Sequence, residues 1–348
     1  YDSVILHVVS EADTEITRTN GEQIPQLLLT CPENVRLHYH ELCVADQYPA
    51  CHPILASLPK LTIHSWLTAL QTERLEQKAR LITQRLALCN RNWEDAFFIT
   101  LARNFGFGLN GDAFETWAGL LPFRALDKHR NDLFQIEAFF YGLAGLLEET
   151  FLKKEQEDEY SLRLCKEFRY LQRKFEIGQG MDATLWRFLR LRPENFPHIR
   201  LAQLAYLYQK GDKLFSRLLE AETLADVRTL LDARTSPYWE NHYLFGRPSS
   251  QKEKTMGERS KDLIIINTVV PFLYTYGLHK TDERMCERAG RFLEELKAES
   301  NHIIRSWSDA GLPVVSAADS QALIQLQKEY CDKRKCLYCR FGYEYLKH

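Results

Sequence analysis

The chain has 348 residues, enough for roughly two domains. Hydrophobic residues make up 45% and charged residues 26%, the balance of a soluble globular protein with ample material for a core. The formal net charge of −2 excludes a global field that would drive the chain onto DNA or an anionic membrane, so any nucleic-acid role needs local basic patches.

No run of about 18 apolar residues exists, which argues against a membrane span. The nearest candidate, LIIINTVVPFLYTYGL at 263–278, is interrupted by Asn267, Thr268 and Pro271. Nine cysteines, an odd number without a secretion signal, do not read as a disulfide framework, and the expected compartment is the cytoplasm.

The chain opens in β-type sequence. VILHVV is a short β-branched run, EITRT follows, and Asn20-Gly21 precedes IPQLLL. Asn-Gly between two such runs predicts a hairpin, and residues 1–30 are expected to form a β-ribbon. A ribbon of that size buries no core by itself, so it is expected to complete an upstream α/β domain.

From Cys31 the periodicity is helical, and residues 31–348 are expected to form a helical domain, making the fold class mainly α. ENVRLHYHELCVAD fits an amphipathic helix. Residues 64–89 are expected to form a long one, with Trp66, Leu67, Leu70, Leu75, Ala79, Leu81, Ile82, Leu86 and Leu88 supplying apolar contacts near i, i+3, i+4 spacing. Further helices are expected near 92–105, 113–121, 131–152, 158–175, 182–190, 198–210, 212–220, 223–232, 262–277, 282–299, 301–308 and 317–331.

Between the helices expected near 92–105 and 113–121 stands Gly106-Phe107-Gly108-Leu109-Asn110-Gly111, a literal G-x-G-x-x-G. A dinucleotide-binding turn needs a strand before the glycines. Here Trp93, Phe97, Phe98, Leu101, Ala102 and Phe105 place a helix there instead. The segment is expected to be a helix–turn–helix joint, with Gly106 as a left-handed helix end and Asp112-x-x-Glu115 as a capping box.

Residues 236–262 lack helical pattern and are expected to be a mobile solvated loop. Ser249, Ser250, Lys252, Lys254, Gly257, Arg259 and Lys261 offer an alternative there, an anion site for a small phosphorylated ligand. Residues 185–205 interleave Arg187, Arg190, Arg192 and Arg200 with Trp186, Phe188 and Phe196, a pattern suited to phosphate contact and base stacking. The blander alternative is a proline-pinned helix corner whose arginines are solvated or paired with Asp182 and Glu194.

No nucleophile elbow, P-loop or H-E-x-x-H occurs, and no catalytic constellation is written in the chain. The chemistry-bearing pattern is at the C-terminus, YCDKRKCLYCRFGYEYLKH. Cys331, Cys336 and Cys339 stand at C-x4-C-x2-C spacing. Cys336-x-x-Cys339 is the usual two-thiolate knuckle of zinc sites, and the three together match the opening of a plant-type [2Fe–2S] motif. A fourth ligand must come from elsewhere. Cys286 is the first candidate, with His302 and His348 as alternatives. Lys333, Arg334, Lys335 and Arg340 would stabilise thiolates and could also meet nucleic acid. Zinc, an iron–sulfur cluster and three unliganded thiols all remain open.

VILHVV, TLARNFGFGLNGDAF, RPENFPHIRLAQLA, IIINTVVP, DSQALIQL and YCDKRKCLYCRFG together resemble an uncharacterised bacterial family catalogued as domain of unknown function 2851. The resemblance implies no known activity. It does imply additional sequence before Tyr1, similar to the α/β core of PD-(D/E)xK nucleases, in which carboxylates and a lysine hold Mg²⁺. On that basis the expected role is nucleic-acid association with a C-terminal structural metal site. The alternative is a helical interaction scaffold without catalytic activity.

Overall fold

Amphipathic periodicity becomes helix along almost the whole chain. A computed structural model describes residues 1–46 and 49–347. In order, the helices are α1 (Glu33–Val44), α2 (His52–Leu55), α3 (Lys60–Leu88), α4 (Trp93–Phe105), α5 (Gly111–Gly119), α6 (Phe123–Lys128), α7 (Leu133–Leu143), α8 (Glu159–Lys174) and α9 (Pro197–Lys210). They continue as α10 (Leu214–Glu220), α11 (Leu224–Leu230), α12 (Glu258–Ile264), α13 (Val270–Lys280), α14 (Glu283–Glu295), α15 (His302–Asp309), α16 (Ala317–Gln325) and α17 (Arg340–Lys347). The strands are β1 (His7–Val9), β2 (Gln26–Leu28), β3 (His242–Leu244) and β4 (Arg247–Pro248). Among the described residues, no helix is long and apolar enough to cross a membrane.

Two compact units share the chain. One comprises Tyr1–Gln71, Ser300–Val315 and Asp319–His348; the other comprises Thr72–Glu299 and Ser316–Ala318. The division therefore falls at residue 71 and again at residue 300, and the strand segment shares its unit with the C-terminal helices.

In the larger unit, several helix starts are set by side-chain caps. Asn92 accepts from the Glu94 and Asp95 amides before α4, and Asp132 accepts from Phe134 and Gln135 before α7. Asp158 with Ser161, and Thr223 with Asp226, form reciprocal capping boxes on α8 and α11. The core is aromatic. Trp93 stacks on Phe215 at 5.6 Å, Phe97 meets the edge of Phe272 at 5.1 Å, and the Trp117 indole N–H donates to the Phe140 carbonyl at 3.0 Å.

Pro271 does not end the helical run that contains it. α12 passes through a π-helical stretch, Ile265–Val269, directly into α13. Proline has no N–H for the Asn267 carbonyl, and the Asn104 side-chain amide donates to that carbonyl at 3.0 Å instead. The expected helix 131–152 stops at Leu143, with Gly145 in a left-handed turn at φ 71°. The expected helix 182–190 is a single 3-10 turn, Ala183–Leu185, followed by irregular chain with Arg190 at φ 65°.

The glycine joint also differs from expectation. Gly106 is right-handed (φ −71°), and the left-handed residues are Phe107 and Gly108, at 43° and 89°. Gly106 is needed for close approach, because a Cβ there would lie 2.4 Å from the Gly111 nitrogen. The capping box does not form. Asp112 and Glu115 both pair with Arg103, and Asn110 at the N-cap uses its side chain on the Arg187 backbone instead.

Residues 236–262 are not a solvated loop. Trp239, Phe245 and Met256 are buried in the core, and the buried Lys254 ammonium donates to the Trp239 and Glu240 carbonyls. Lys252 pairs with Glu194, and Lys261 with Glu258 and Asp232, so the three lysines named for an anion site already have partners, while Arg259 is exposed. Beneath this segment lies a buried polar group. Glu137 on α7 is fully buried and accepts from the Tyr160 hydroxyl, which also lies 3.3 Å from Ser236 Oγ. Burial pushes the Glu137 carboxyl up to about 7.

In the smaller unit the Asn20-Gly21 turn forms, with Gly21 at φ 81° and an isolated bridge between Thr17 and Gln23. It is not the connection of a β1–β2 hairpin. β1 and β2 run parallel, His7 opposite Gln26 and Val9 opposite Leu28, and the turn lies within their crossover. The Arg18 guanidinium on the Val4 carbonyl and Asp2 on the Thr19 amide draw the turn back to the start of the chain. The core of this unit gathers Leu42, Leu55, Trp66, Leu70, Trp307, Leu323 and Phe341 from three stretches of sequence.

Candidate metal centre

The three C-terminal cysteines are brought together by a run of tight local structure. α16 continues into a π-helical turn, Leu326–Cys331, which carries Cys331. Arg334, in the left-handed region at φ 51°, turns the chain, and the Lys335 amide donates back to the Tyr330 carbonyl at 2.8 Å. A 3-10 turn, Cys336–Tyr338, then presents Cys336 and leads to Cys339 just ahead of α17. Gly342 on α17 packs directly against this knuckle: a Cβ there would stand 2.2 Å from the Cys336 carbonyl oxygen.

Side chains fasten this segment to the N-terminal helices of the same unit. Arg334 donates to the Leu42 carbonyl at 3.1 Å and Tyr345 to Glu41 at 3.1 Å. Arg340 donates to Ser65 Oγ at 3.1 Å while lying over the Trp66 ring.

Cys331, Cys336 and Cys339 line one cavity of about 30 Å³, and the fourth thiol in its wall is Cys51, the residue immediately before α2. Trp307 and Arg334 also line it. The volume is two to three times the roughly 10–15 Å³ that a water molecule requires. Among the described residues, no three His, Cys, Asp or Glu side chains converge closely enough to hold a single ion. The thiols surround a hollow rather than a point.

Burial, and then the neighbouring thiols, push Cys51 and Cys331 well above the usual thiol range. Cys336 is raised by burial and by Cys339 and Cys43, with Arg334 pulling the other way. Cys339 is raised by burial against the backbone N–H groups of Gly342 and Phe341 and the Trp66 indole, which favour its anion. As bare thiols these groups stay protonated and are poor nucleophiles.

Two buried donors lack partners. The Trp66 indole N–H is aimed at the Cys339 thiol without completing a hydrogen bond. The Trp307 indole N–H, on the fully buried ring that lines the cavity, is also unpartnered. An unsatisfied buried donor costs about 1–3 kcal/mol, and a bound anionic sulfur is a natural acceptor.

Cys286 is not in this group. It lies on α14 of the larger unit, donates to the Tyr274 carbonyl at 3.7 Å and packs against Gly277. His302 is exposed at the start of α15, and His348 lies outside the described residues. Of the basic residues beside the thiols, Lys333 pairs with Glu329, Lys335 is exposed, and Arg334 faces the cavity.

The arginine corner divides in two. Arg200 is buried, donates to Gln203 and Asn195 at 2.8 and 2.5 Å, and covers the Phe107 ring, so its role is structural. Trp186 is buried with its N–H on the Ala144 carbonyl, and Phe188 packs on Phe151 and Phe196. Arg187, Arg190 and Arg192 stand exposed.

Cys51, Trp66, Trp307 and Gly342 carry no signal of a site in the sequence. Cys51 is 280 residues from Cys331, in a stretch, YPACHPIL, with no ligand spacing of its own. Residues 1–302 match the family described as Protein of unknown function (DUF2851), a match that includes Cys51 and stops short of Cys331. No curated protein and no solved structure matches the chain. On a match covering most of its length, the chain belongs to the DUF2851 family.

Proposed function

We propose that this member of the DUF2851 family is a helical scaffold in which Cys331, Cys336 and Cys339 hold a structural metal centre, zinc or an iron–sulfur cluster. The observation that carries the reading is the shared, buried cavity of the three thiols, with backbone and indole N–H groups directed at one of them. Ligation replaces three protonated, desolvated thiols by thiolates whose charge the metal offsets. Metal binding would then hold the C-terminal segment in its unit. The test is elemental analysis with an absorption spectrum of the purified full chain, beside Cys336→Ser. Metal present in the parent and lost in the variant supports the reading; a metal-free, fully folded parent overturns it.

A second reading is nucleic-acid association, consistent with nuclease-like ancestry. It is supported by the exposed Arg187, Arg190 and Arg192, and by Lys335 beside the cysteines. Phosphate contact makes affinity fall steeply with salt. Gel shifts on single- and double-stranded DNA and RNA at low salt, with metal present, test it, and absence of binding removes it.

A further inference from the structure

We infer that Cys51 completes a four-thiolate cage with Cys331, Cys336 and Cys339, and that this cage takes an iron–sulfur cluster. The inference rests on the reading that the C-terminal thiols bind metal, and it names the missing ligand and the occupant.

The first argument is position. Cys51 is buried and lines the same cavity as the three tail thiols. Its place just before α2 is set by the packing of Ile54 and Leu55 into the core of the same unit. Another nearby thiol, Cys43 on α1, influences Cys336 and bonds with Tyr39, but is not in the cavity wall.

The second argument is size. Four thiolates on one zinc, each about 2.3 Å from the metal, would stand roughly 3.8 Å apart. Among the described residues no such convergence exists, even of three groups. The four cysteines instead line a common hollow of about 30 Å³. A cluster divides its cysteines between two or more irons and fills the centre with its own sulfides, so it does not need all four gathered on one point.

The third argument is the wall. The cavity is lined largely by apolar side chains and Trp307, with the Arg334 guanidinium as its cation. The two unpartnered indole N–H groups, Trp66 and Trp307, are suited to donate to cluster or cysteine sulfur, the contact through which proteins tune such centres. On assembly of a [2Fe–2S] centre each of the four thiols releases its proton to solvent and forms one bond to iron; two ferric ions and two sulfides come from solution, so no electron is transferred until dithionite reduces the centre.

The test uses the full chain, purified without oxygen and, separately, reconstituted with ferric iron and sulfide. Iron and acid-labile sulfide in equal amount, with a brown absorption bleached by dithionite, are expected. Cys51→Ser, Cys331→Ser, Cys336→Ser and Cys339→Ser lose it, whereas Cys43→Ser and Cys286→Ser keep it. Colourless protein with one zinc per chain overturns the cluster. A centre lost in Cys336→Ser but kept in Cys51→Ser overturns the role of Cys51 and leaves tail-thiol metal binding standing. No metal in any preparation removes both. Should Cys51→Ser not fold, alkylation of the parent decides. Chelation is expected to expose Cys51 together with the three tail thiols, and a Cys51 whose labelling ignores chelation overturns the assignment. Trp66→Phe, which keeps the ring and removes the N–H, is expected to lower the reduction potential of the centre.

Discussion

The two compact units reach stability by different means. The larger one is packed around fused aromatic clusters such as Trp93, Phe97, Phe215 and Phe272. The smaller one assembles three separate stretches of chain around a much smaller core, with a thiol-lined hollow in it. A small core buries too little apolar surface to order distant segments easily, and nature commonly adds a crosslink or a metal. The comparison teaches that a metal would matter most where the hydrophobic core is least.

The sharpest way to break that comparison is to remove the centre. Chelation, or Cys336→Ser, is expected to unfold the smaller unit and spare the larger, since structural metal sites contribute on the order of 10 kcal/mol. Hydrogen exchange read by mass spectrometry should show protection lost in α1, α16 and α17 but kept in α4 to α9. Equal loss in both units would mean that the larger core does not stand by itself.

The reciprocal experiment is Trp117→Ala. It opens a cavity at a fully buried ring and orphans the Phe140 carbonyl from its indole donor. A cost of about 3–5 kcal/mol is expected, read as a lower melting temperature of the larger unit.

Next comes Glu137→Gln, which probes the buried polar group in that core. The carboxyl titrates near 7 in the fold against 4.5 in the open chain. The folded state therefore holds the proton more tightly, and the contribution to stability is full below about 4.5 and lost as pH rises through 7. Relative to the parent, the variant should gain stability between pH 5 and pH 8, by up to about 3 kcal/mol. Asp95, raised to about 6 by burial, acts in the same direction. His198, which burial drives down to about 3, acts oppositely because it resists protonation in the fold. Only the difference between variant and parent isolates Glu137, and a flat difference across that range would show the carboxyl ionised throughout.

The smallest expected effect is Gly342→Ala. The added methyl meets the Cys336 carbonyl and must displace the knuckle, at about 1–3 kcal/mol confined to the smaller unit. Gly119→Ala, where a Cβ meets nothing within 4 Å, is the control and should leave stability unchanged or slightly higher. Chemical denaturation followed by exchange separates the two.

Much of this architecture is legible in residue order. Helices around 93–105, 159–174, 197–210 and 283–295 follow from apolar spacing. The capping residues Asn92, Asp158, Thr223 and Asp282 mark helix starts because short polar side chains compete for free amides. Other features were not legible. Gly106 does end α4, but in a right-handed conformation and with close contact to Gly111 as the reason for glycine; Asp112 and Glu115 look like a cap and serve Arg103. Residues 236–262 read as solvated because they lack a helical apolar period, yet Trp239, Phe245 and Met256 are buried and the Lys254 ammonium bonds two carbonyls. Each case turned on a contact outside the local helical repeat.

What residue order alone determined is the local chemistry: a mainly helical chain, and three cysteines spaced C-x4-C-x2-C, since these depend on neighbours within a few positions. Only the tertiary structure decided the rest. It placed Cys51 beside thiols 280 positions away, left Cys286 in another core, and removed Arg200 from the surface. The physical reason is that side-chain periodicity specifies which face of an element is buried, whereas the identity of what it is buried against is set by packing between segments that the sequence does not place side by side.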